Sequence, residues 1–451
     1  MKRSWIQKSF VCMMVFMMAM GIVGRPANAQ GDLDVNAKAA ILVEASTGKI
    51  LYEKNSENAQ GIASMTKMMT EYLLLEAIEE GKVKWDQKYT VPANLSQMSH
   101  NTGLSNVSLE VEGTYTIKEL YEAMAIYSAN AATIAITETI AGSEANFVKM
   151  MNAKAKELGL EKYKFVNSTG LNNKDLAPYV DKVVGGPEEE NVMSAKDVAT
   201  LAYRLLHDYP EVLETSSIAK KVFAEGTDDP TQMDNWNWML PGLIREYEGM
   251  DGLKTGTTDF AGANFTGTAE RGGMRFITVV MDVDVPAGEN SYDARFSETR
   301  KMMDYAFNNY TIEEVLPADY QVKGQKTLPV EKGKDKEVQI KTDSPLSMVI
   351  KNGEEDQYKP KFVLDKKKLN DDSELTAPVK KGEKVGYVTL ESKDKKDLGY
   401  LTDKGTNASK ASVVAVDGVE KANWFVLSMR AVGGFFGDIW NSVTSTVKGW
   451  F

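Results

Sequence analysis

The chain has 451 residues, with 53 lysines and arginines against 64 aspartates and glutamates, a formal net charge of −11 and a pI near 5.1. That acidic balance excludes general nucleic-acid binding, which selects for basic patches. A single cysteine, Cys12, and two histidines, His100 and His207, exclude a disulfide framework and cysteine chemistry in the body of the chain and leave a zinc site or a Ser-His-Asp triad without its parts. No metal or other cofactor is expected.

The first 29 residues read as a signal peptide. Lys2 and Arg3 precede an apolar run from Phe10 to Val23, and Pro26 with Ala27-Asn28-Ala29 closes the segment, which places cleavage after Ala29. The run is short for a membrane-spanning helix. Cys12 lies inside it, without the small apolar residues of a lipoprotein box before it.

Residues 30–310 read as the main domain. Ala39–Ala45 and Ile50–Lys54 flank Ser46-Thr47-Gly48-Lys49, the pattern of a β-hairpin. From Ser64 the apolar residues Met65, Met68, Met69, Tyr72, Leu73 and Ala77 recur at helical spacing, which predicts an amphipathic helix. Ile117 to Ala141 is also helical, broken around Tyr127–Asn130. Strands are expected at Gly252–Thr258, Ala263–Glu270 and Arg275–Met281, then a helix over Phe296–Phe307 with Met302, Met303 and Phe307 on one face. Strands at both ends with helices between them predict one antiparallel sheet covered by helices, an α+β architecture.

After Tyr310 the composition shifts to Lys, Glu, Asp and Gly. Short alternating apolar pieces such as Val338-Gln339-Ile340, Phe362-Val363-Leu364 and Val385-Gly386-Tyr387-Val388 predict a small all-β domain over 311–417 rather than a disordered linker. In 418–451, Trp424, Phe425, Met429, Val432, Phe436, Ile439, Val443, Val447 and Trp450 step by three or four, with polar residues between them. This amphipathic helix is expected to lie in a membrane interface rather than cross the bilayer. The alternative is a helix docked on the protein's own body.

The chemistry rests on three motifs in order: Ser64-Met65-Thr66-Lys67, Ser128-Ala129-Asn130 and Lys254-Thr255-Gly256. Ser-x-x-Lys recurs at Ser217–Lys220 and Ser392–Lys395, and Ser-x-Asn at Ser56–Asn58 and Ser99–Asn101, so context decides. Ser64 opens a strong apolar helix, near unpaired backbone donors and the positive dipole end. Lys67, one turn on, can reach its hydroxyl. To act as a base Lys67 must lose its charge, which burial and the neighbouring Lys254 both favour. Ser128 can relay a proton to the leaving group. Asn130 can orient Lys67 and hold a substrate amide. Gly256 lets the strand approach substrate and the serine closely, and backbone donors of Ser64 and Thr257 form an oxyanion hole. Singly, each residue also fits a bland role: a capping serine, a helix-interior asparagine, a surface lysine.

With these residues in place the chain resembles the low-molecular-weight penicillin-binding proteins, in particular the Bacillus-type serine D-alanyl-D-alanine carboxypeptidases of the S11 peptidase type. The likeness runs through Ile62–Thr70, Ala125–Ala131, Val166–Leu171, Asp251–Gly256 and Lys421–Leu427. It implies a penicillin-binding, β-lactamase-like transpeptidase fold. It implies removal of the terminal D-alanine from peptidoglycan pentapeptide stems through an acyl-Ser64 intermediate. It further implies β-lactams as covalent inhibitors, export to the outer face of the cytoplasmic membrane, and a substrate carboxylate held by Lys254, Thr255 and Thr257. Arg295 falls where the family places a further carboxylate-binding arginine, and a surface role fits it as well. Two other readings stay open. A serine β-lactamase shares the trio, although Ala129 stands where class A enzymes carry aspartate and no Glu-x-x-Leu-Asn loop lies between Asn130 and Lys254. A non-catalytic wall-associated scaffold is the second.

Overall fold

The structure is a computed structural model that describes residues 33–285, 290–393, 397–402 and 410–429. The expected signal peptide and most of the expected membrane helix lie outside the described residues. The main sheet is antiparallel, in the order β3-β4-β5-β1-β2, with β1 at Ala37–Glu44, β2 at Lys49–Lys54, β3 at Met250–Thr258, β4 at Gly262–Arg271 and β5 at Met274–Val283. The expected hairpin and three later strands are all present. They form one sheet because β1 pairs with β5, for example Ile41 opposite Val279.

Both faces of this sheet are covered, which explains the unbroken apolar run of β1. Ala39, Ile41 and Val43 share a core with Ile277, Val279 and Met281 and with helix α5, Ala195–Asp208. The alternate residues point the other way; there Phe276 packs edge-on against Phe307 of helix α6, Ser291–Asn309, at 4.9 Å.

The chain between β2 and β3 builds the helical region. Its helices include α1 (Lys67–Glu79), α2 (Ile117–Tyr127), α3 (Asn130–Ala141) and α4 (Glu144–Glu157). Here one expectation changes. Helix α1 is not amphipathic: ten of its residues, Lys67 to Leu75 and Ala77, are buried. It runs between two cores, giving Met68, Met69, Tyr72, Leu73 and Leu75 to one and Leu74 and Ala77 to the other. A helix hydrophobic all round is a buried helix. Ser64 precedes it in a single 3₁₀ turn, Ala63–Thr66.

The all-β layer follows α6 directly. A strand at Tyr310–Leu316 pairs with Leu346–Lys351, and six further strands form a sheet. Buried and exposed residues alternate along Thr327–Glu331 and Glu337–Thr342, as expected for strands with one face on a core. That core holds Leu328, Val330, Val338, Ile340, Val385, Val388 and Val413. Pairing continues past Asp417: Val419 bridges Val379 and Lys421 bridges Gly333. The layer also reaches back to the main sheet. Leu401 donates its N–H to the Gly48 carbonyl at 2.8 Å, Ile50 donates to Gly399 at 3.0 Å, and Lys49 pairs with Asp397 at 2.6 Å. Leu401 joins the core beside Tyr203. Residues 424–429 are helical, with Trp424 78% and Phe425 59% exposed. Among the described residues no helix is long and apolar enough to cross a membrane.

Candidate active site

The three motifs converge. Lys67 Nζ lies 3.0 Å from Ser64 Oγ, 2.9 Å from Asn130 Oδ1 and 2.7 Å from the Thr169 carbonyl. Lys67 is 1% exposed. Burial, with the positive charge of Lys254 adding to it, holds its ammonium well below the ordinary lysine range. Two of its three partners can only accept. The third, the Ser64 hydroxyl, can either accept from an ammonium or donate to an amine. The geometry therefore holds Lys67 in both protonation states.

Each partner arrives on a special piece of backbone. Ala63 has φ +46° and Gly170 φ +82°, and the two peptides touch. A Cβ on Gly170 would sit 1.9 Å from the Ala63 carbonyl oxygen, so only glycine fits this left-handed, crowded position. The 166–171 segment is held from behind. Glu144 accepts from the Ser168 N–H and hydroxyl at 2.6 and 2.8 Å, and Asn191 bonds Asn167 and Thr66. Gly256 of β3 makes the second close approach: a Cβ there would meet the Ile62 carbonyl at 2.5 Å. The Lys254-Thr255-Gly256 strand thus lies directly on the serine turn.

Ser128 ends helix α2 in the left-handed conformation, φ 61°, ψ 28°. For a residue with a Cβ this costs about 1–3 kcal/mol. Its hydroxyl is buried and has no hydrogen-bond partner among the described residues. Ser64, Ser128, Asn130, Thr255, Gly256 and Thr257 line one cleft of about 700 Å³, along which Tyr127, Trp236 and Tyr292 form an aromatic wall. Lys254 is 5% exposed, with its Nζ 3.4 Å from the Thr255 carbonyl oxygen. Burial brings it down to about 7, with Glu71 opposing and Arg295 adding to the shift.

Arg295 also lines the cleft, yet it is 1% exposed. It donates to the carbonyls of Gly256 and Asn264 at 3.1 and 3.0 Å and to Thr257 Oγ1 at 2.8 Å. A surface role for it does not survive. Because Thr257 accepts from Arg295, its own hydrogen is left to point elsewhere.

Several participants carried no signal in the motifs. Glu71 is buried one turn beyond Lys67 and accepts from the Tyr121 hydroxyl at 2.6 Å. Burial raises its carboxyl to about 7, against Tyr121 and Lys254. Its helical spacing from Lys67 was the available clue. The Thr169 carbonyl could not be read from side-chain types at all. Among the described residues, one group could offer ligand atoms to a metal: His100, Glu110 and Asp229, with ligand atoms within 4.8 Å of one another. All three are exposed, and His100 lines the outer part of the same cleft as Ser64.

An antiparallel sheet sandwiched by helices, with a serine and a lysine at the head of a buried helix, defines a penicillin-binding type of serine hydrolase. The comparisons agree. The family model described as D-alanyl-D-alanine carboxypeptidase matches residues 26–285, and that of the penicillin-binding protein 5 C-terminal domain matches 310–421. The chain belongs to the D-alanyl-D-alanine carboxypeptidase family. It is 34% identical to the D-alanyl-D-alanine carboxypeptidase DacF of Bacillus subtilis, over 89% of this chain and 90% of that one. Among solved structures it resembles a peptidoglycan synthesis regulatory factor (PBP3) from Streptococcus pneumoniae, with a TM-score of 0.71, 37% identity, and 86% and 100% of the two chains covered. It also resembles penicillin-binding protein D2 from Listeria monocytogenes in its ampicillin-bound form, with a TM-score of 0.50, 33% identity, and 61% and 100% covered.

Gly170→Ala tests the close packing behind Lys67. The added methyl must displace the Ala63 peptide, so the variant loses about 1–3 kcal/mol of stability and reacts with a fluorescent penicillin at least about tenfold more slowly, one decade being about 1.4 kcal/mol. Stopped-flow acylation beside thermal unfolding measures both. An unchanged acylation rate would show that this contact does not set the serine turn.

Proposed function

We propose that this carboxypeptidase removes the terminal D-alanine of a peptidoglycan pentapeptide stem, with Ser64 as nucleophile and Lys67 as its base. The observation that carries the reading is the buried Lys67 amine 3.0 Å from the Ser64 hydroxyl. Ser64 Oγ attacks the carbonyl carbon of the penultimate D-alanine while neutral Lys67 takes the hydroxyl proton. The backbone N–H groups of Ser64 and Thr257 stabilise the oxyanion. The C–N bond then breaks. Ser128 passes a proton to the departing D-alanine nitrogen, and Asn130 holds both the Lys67 amine and the substrate amide. Water attacks the acyl-Ser64 ester, and a tetrapeptide stem leaves.

The substrate's free carboxylate lies against Lys254, Thr255 and Thr257, with Gly256 leaving room for the peptide backbone. Arg295 acts from behind: its bond to Thr257 Oγ1 turns the threonine hydrogen towards the carboxylate. β-Lactams present the same carbonyl and carboxylate and acylate Ser64. The class A β-lactamase alternative needs a deacylating glutamate beside the serine. The buried Glu144 is instead committed to Ser168 and Thr137.

The exported form spans 30–451 after loss of 1–29. Residues 30–310 form the catalytic domain and 311–417 the β-rich domain. Of the 418–451 segment, Val419 and Lys421 pair with the β layer, and the residues that follow hold the enzyme on the outer face of the cytoplasmic membrane. The exposed Trp424, Phe425 and Met429 support an interfacial helix, since each large apolar side chain buried in a bilayer contributes about 1.5–3 kcal/mol.

Three experiments test these claims. After incubation with benzylpenicillin, intact-mass spectrometry and peptide mapping show one stable adduct on the Ser64 peptide, and Ser64→Ala shows none. Antibiotic consumed without an adduct would point to a β-lactamase, and neither consumption nor adduct to a scaffold. The pH profile of kcat/KM is bell-shaped. The acid limb is protonation of Lys67. The alkaline limb is Lys254 losing its proton from about 7 upward in the free enzyme. In Lys254→Gln the alkaline limb disappears. The acid limb moves to higher pH, because a positive charge that lowers the Lys67 pKa is gone. An unmoved acid limb refutes the coupling. Finally, deleting 422–451 releases active enzyme from membranes; a truncated form that still sediments with them refutes the anchor.

A further inference from the structure

The left-handed turn at Ser128 lacks the glycine that normally ends a helix this way. Something else must hold it, and the contacts around it are unusually concentrated. The Tyr127 carbonyl, exposed by the end of helix α2, accepts from the Ser105 hydroxyl at 2.6 Å and from the Trp236 indole Nε1 at 3.1 Å. The same indole N–H lies 3.2 Å from Ser105 Oγ. The Ser105 carbonyl in turn accepts from the Asn130 backbone N–H at 2.9 Å and from its side-chain Nδ2 at 3.0 Å. Asn106 Oδ1 accepts the next N–H, of Ala131, at 2.8 Å.

The bond to Asn130 has a directional consequence. With Nδ2 on a carbonyl, the amide cannot flip, and Oδ1 must face Lys67, where it accepts at 2.9 Å. Trp236 is itself anchored on both sides. Asn235 donates to the carbonyls of Ser216 and Ile218, and Asn237 donates to Gly252 at the start of the Lys254 strand. The indole ring lies between Tyr127 and Tyr292, with centroids 6.1 and 6.0 Å away. A continuous path therefore runs from β3 through Trp236 and Ser105 to Ser128, Asn130 and Lys67.

We propose that Ser105 and Trp236 are positioning residues for the reaction: they jointly clamp the Tyr127 carbonyl, hold Ser128 in its left-handed conformation, and fix the Asn130 amide towards Lys67. This rests on the roles given above to Ser128 and Asn130. Neither clamp residue touches the reacting atoms. Ser105 acts on the rate at which a bound acyl donor reacts, and little on how tightly it binds; Trp236, which also walls the cleft, acts on both. The Tyr127 carbonyl tolerates loss of one donor better than loss of two, so the two residues are coupled rather than additive.

The test uses the full chain and two readouts, the acylation rate with a fluorescent penicillin and the kcat to KM split on a peptide ending in D-Ala-D-Ala. Ser105→Ala and Trp236→Phe each slow acylation about tenfold or more, as expected for a part-buried carbonyl losing one of its two donors. For Ser105→Ala, KM stays within about twofold, and for both variants the melting temperature stays within a few degrees. Ser105→Thr keeps the hydroxyl and restores the rate to within about threefold of the parent, which a merely structural role does not predict. The double variant loses more than the product of the single losses. The clamp is refuted if both single variants acylate at the parent rate, if the threonine variant gives no rescue, or if the losses appear in KM and melting temperature alone. Ser128→Ala separates the two layers of the argument. If it acylates slowly while the Ser105 and Trp236 variants do not, the clamp alone fails. If it acylates at the parent rate, the role of Ser128 fails and the clamp falls with it.

Discussion

A lysine side chain with 1% exposure is the constraint around which this protein is arranged. An unpaired buried ammonium costs several kcal/mol. The protein meets that cost partly with acceptors and partly by letting the proton go. The acceptors are the Asn130 amide oxygen and the Thr169 carbonyl, both fixed from behind. The release is favoured by burial and by Lys254. The remaining contact is the Ser64 hydroxyl, the one partner able to reverse its hydrogen bond. The arrangement that makes Lys67 tolerable in the interior is therefore also the one that suits it to the proposed role of base.

From that constraint the odd features of the backbone follow. Lys67 can meet the Thr169 carbonyl only if the 166–171 segment lies against the serine turn, which requires Gly170 and a positive φ at Ala63. It can meet Asn130 only if helix α2 stops and α3 starts within two residues, which requires the left-handed Ser128. The Lys254 strand can lie over the serine only because Gly256 has no side chain. Behind these contacts stand buried polar groups that are fully occupied: Glu144 on Ser168, Asn167 on Gly170, Asn191 on Thr66. Such networks rigidify a site when every member is satisfied. Among the described residues the Ser128 hydroxyl and Arg295 Nε have no partner.

Much of this was legible in the residues, for identifiable reasons. The hairpin, the later strands and the break at Tyr127–Asn130 follow local patterning, and the sheet follows from strands at both ends of one domain. The Ser, Lys and Asn side chains were legible because their chemistry is carried by residue type. What escaped was of three kinds. Helix α1 reads as amphipathic because Lys67, Thr70 and Glu71 break its apolar run, yet the same residues are buried as parts of the site. The Thr169 and Ser105 carbonyls carry no side-chain signature. Trp236 reads as one aromatic among many in Asn235-Trp236-Asn237-Trp238, and only the fold brings its indole to the end of α2.

The β layer illustrates the same limit at larger scale. Its strands were visible as alternation, but its relation to the main sheet was not. Residues 397–401 cross back and extend the turn of the first hairpin, with Lys49 between Asp397 at 2.6 Å and the Tyr400 ring at 5.1 Å. Leu401 then enters the main core against Tyr203, beside Gly48 at φ +73°. A layer joined only by the chain at Tyr310 would be free to hinge there. A second attachment to the main sheet, built from backbone hydrogen bonds, a half-buried ion pair and a core leucine, is made by residues 397–401. The turn Ser46-Thr47-Gly48-Lys49 is thus more than a hairpin loop. It is the place where the β layer is fastened to the sheet that carries the Lys254 strand.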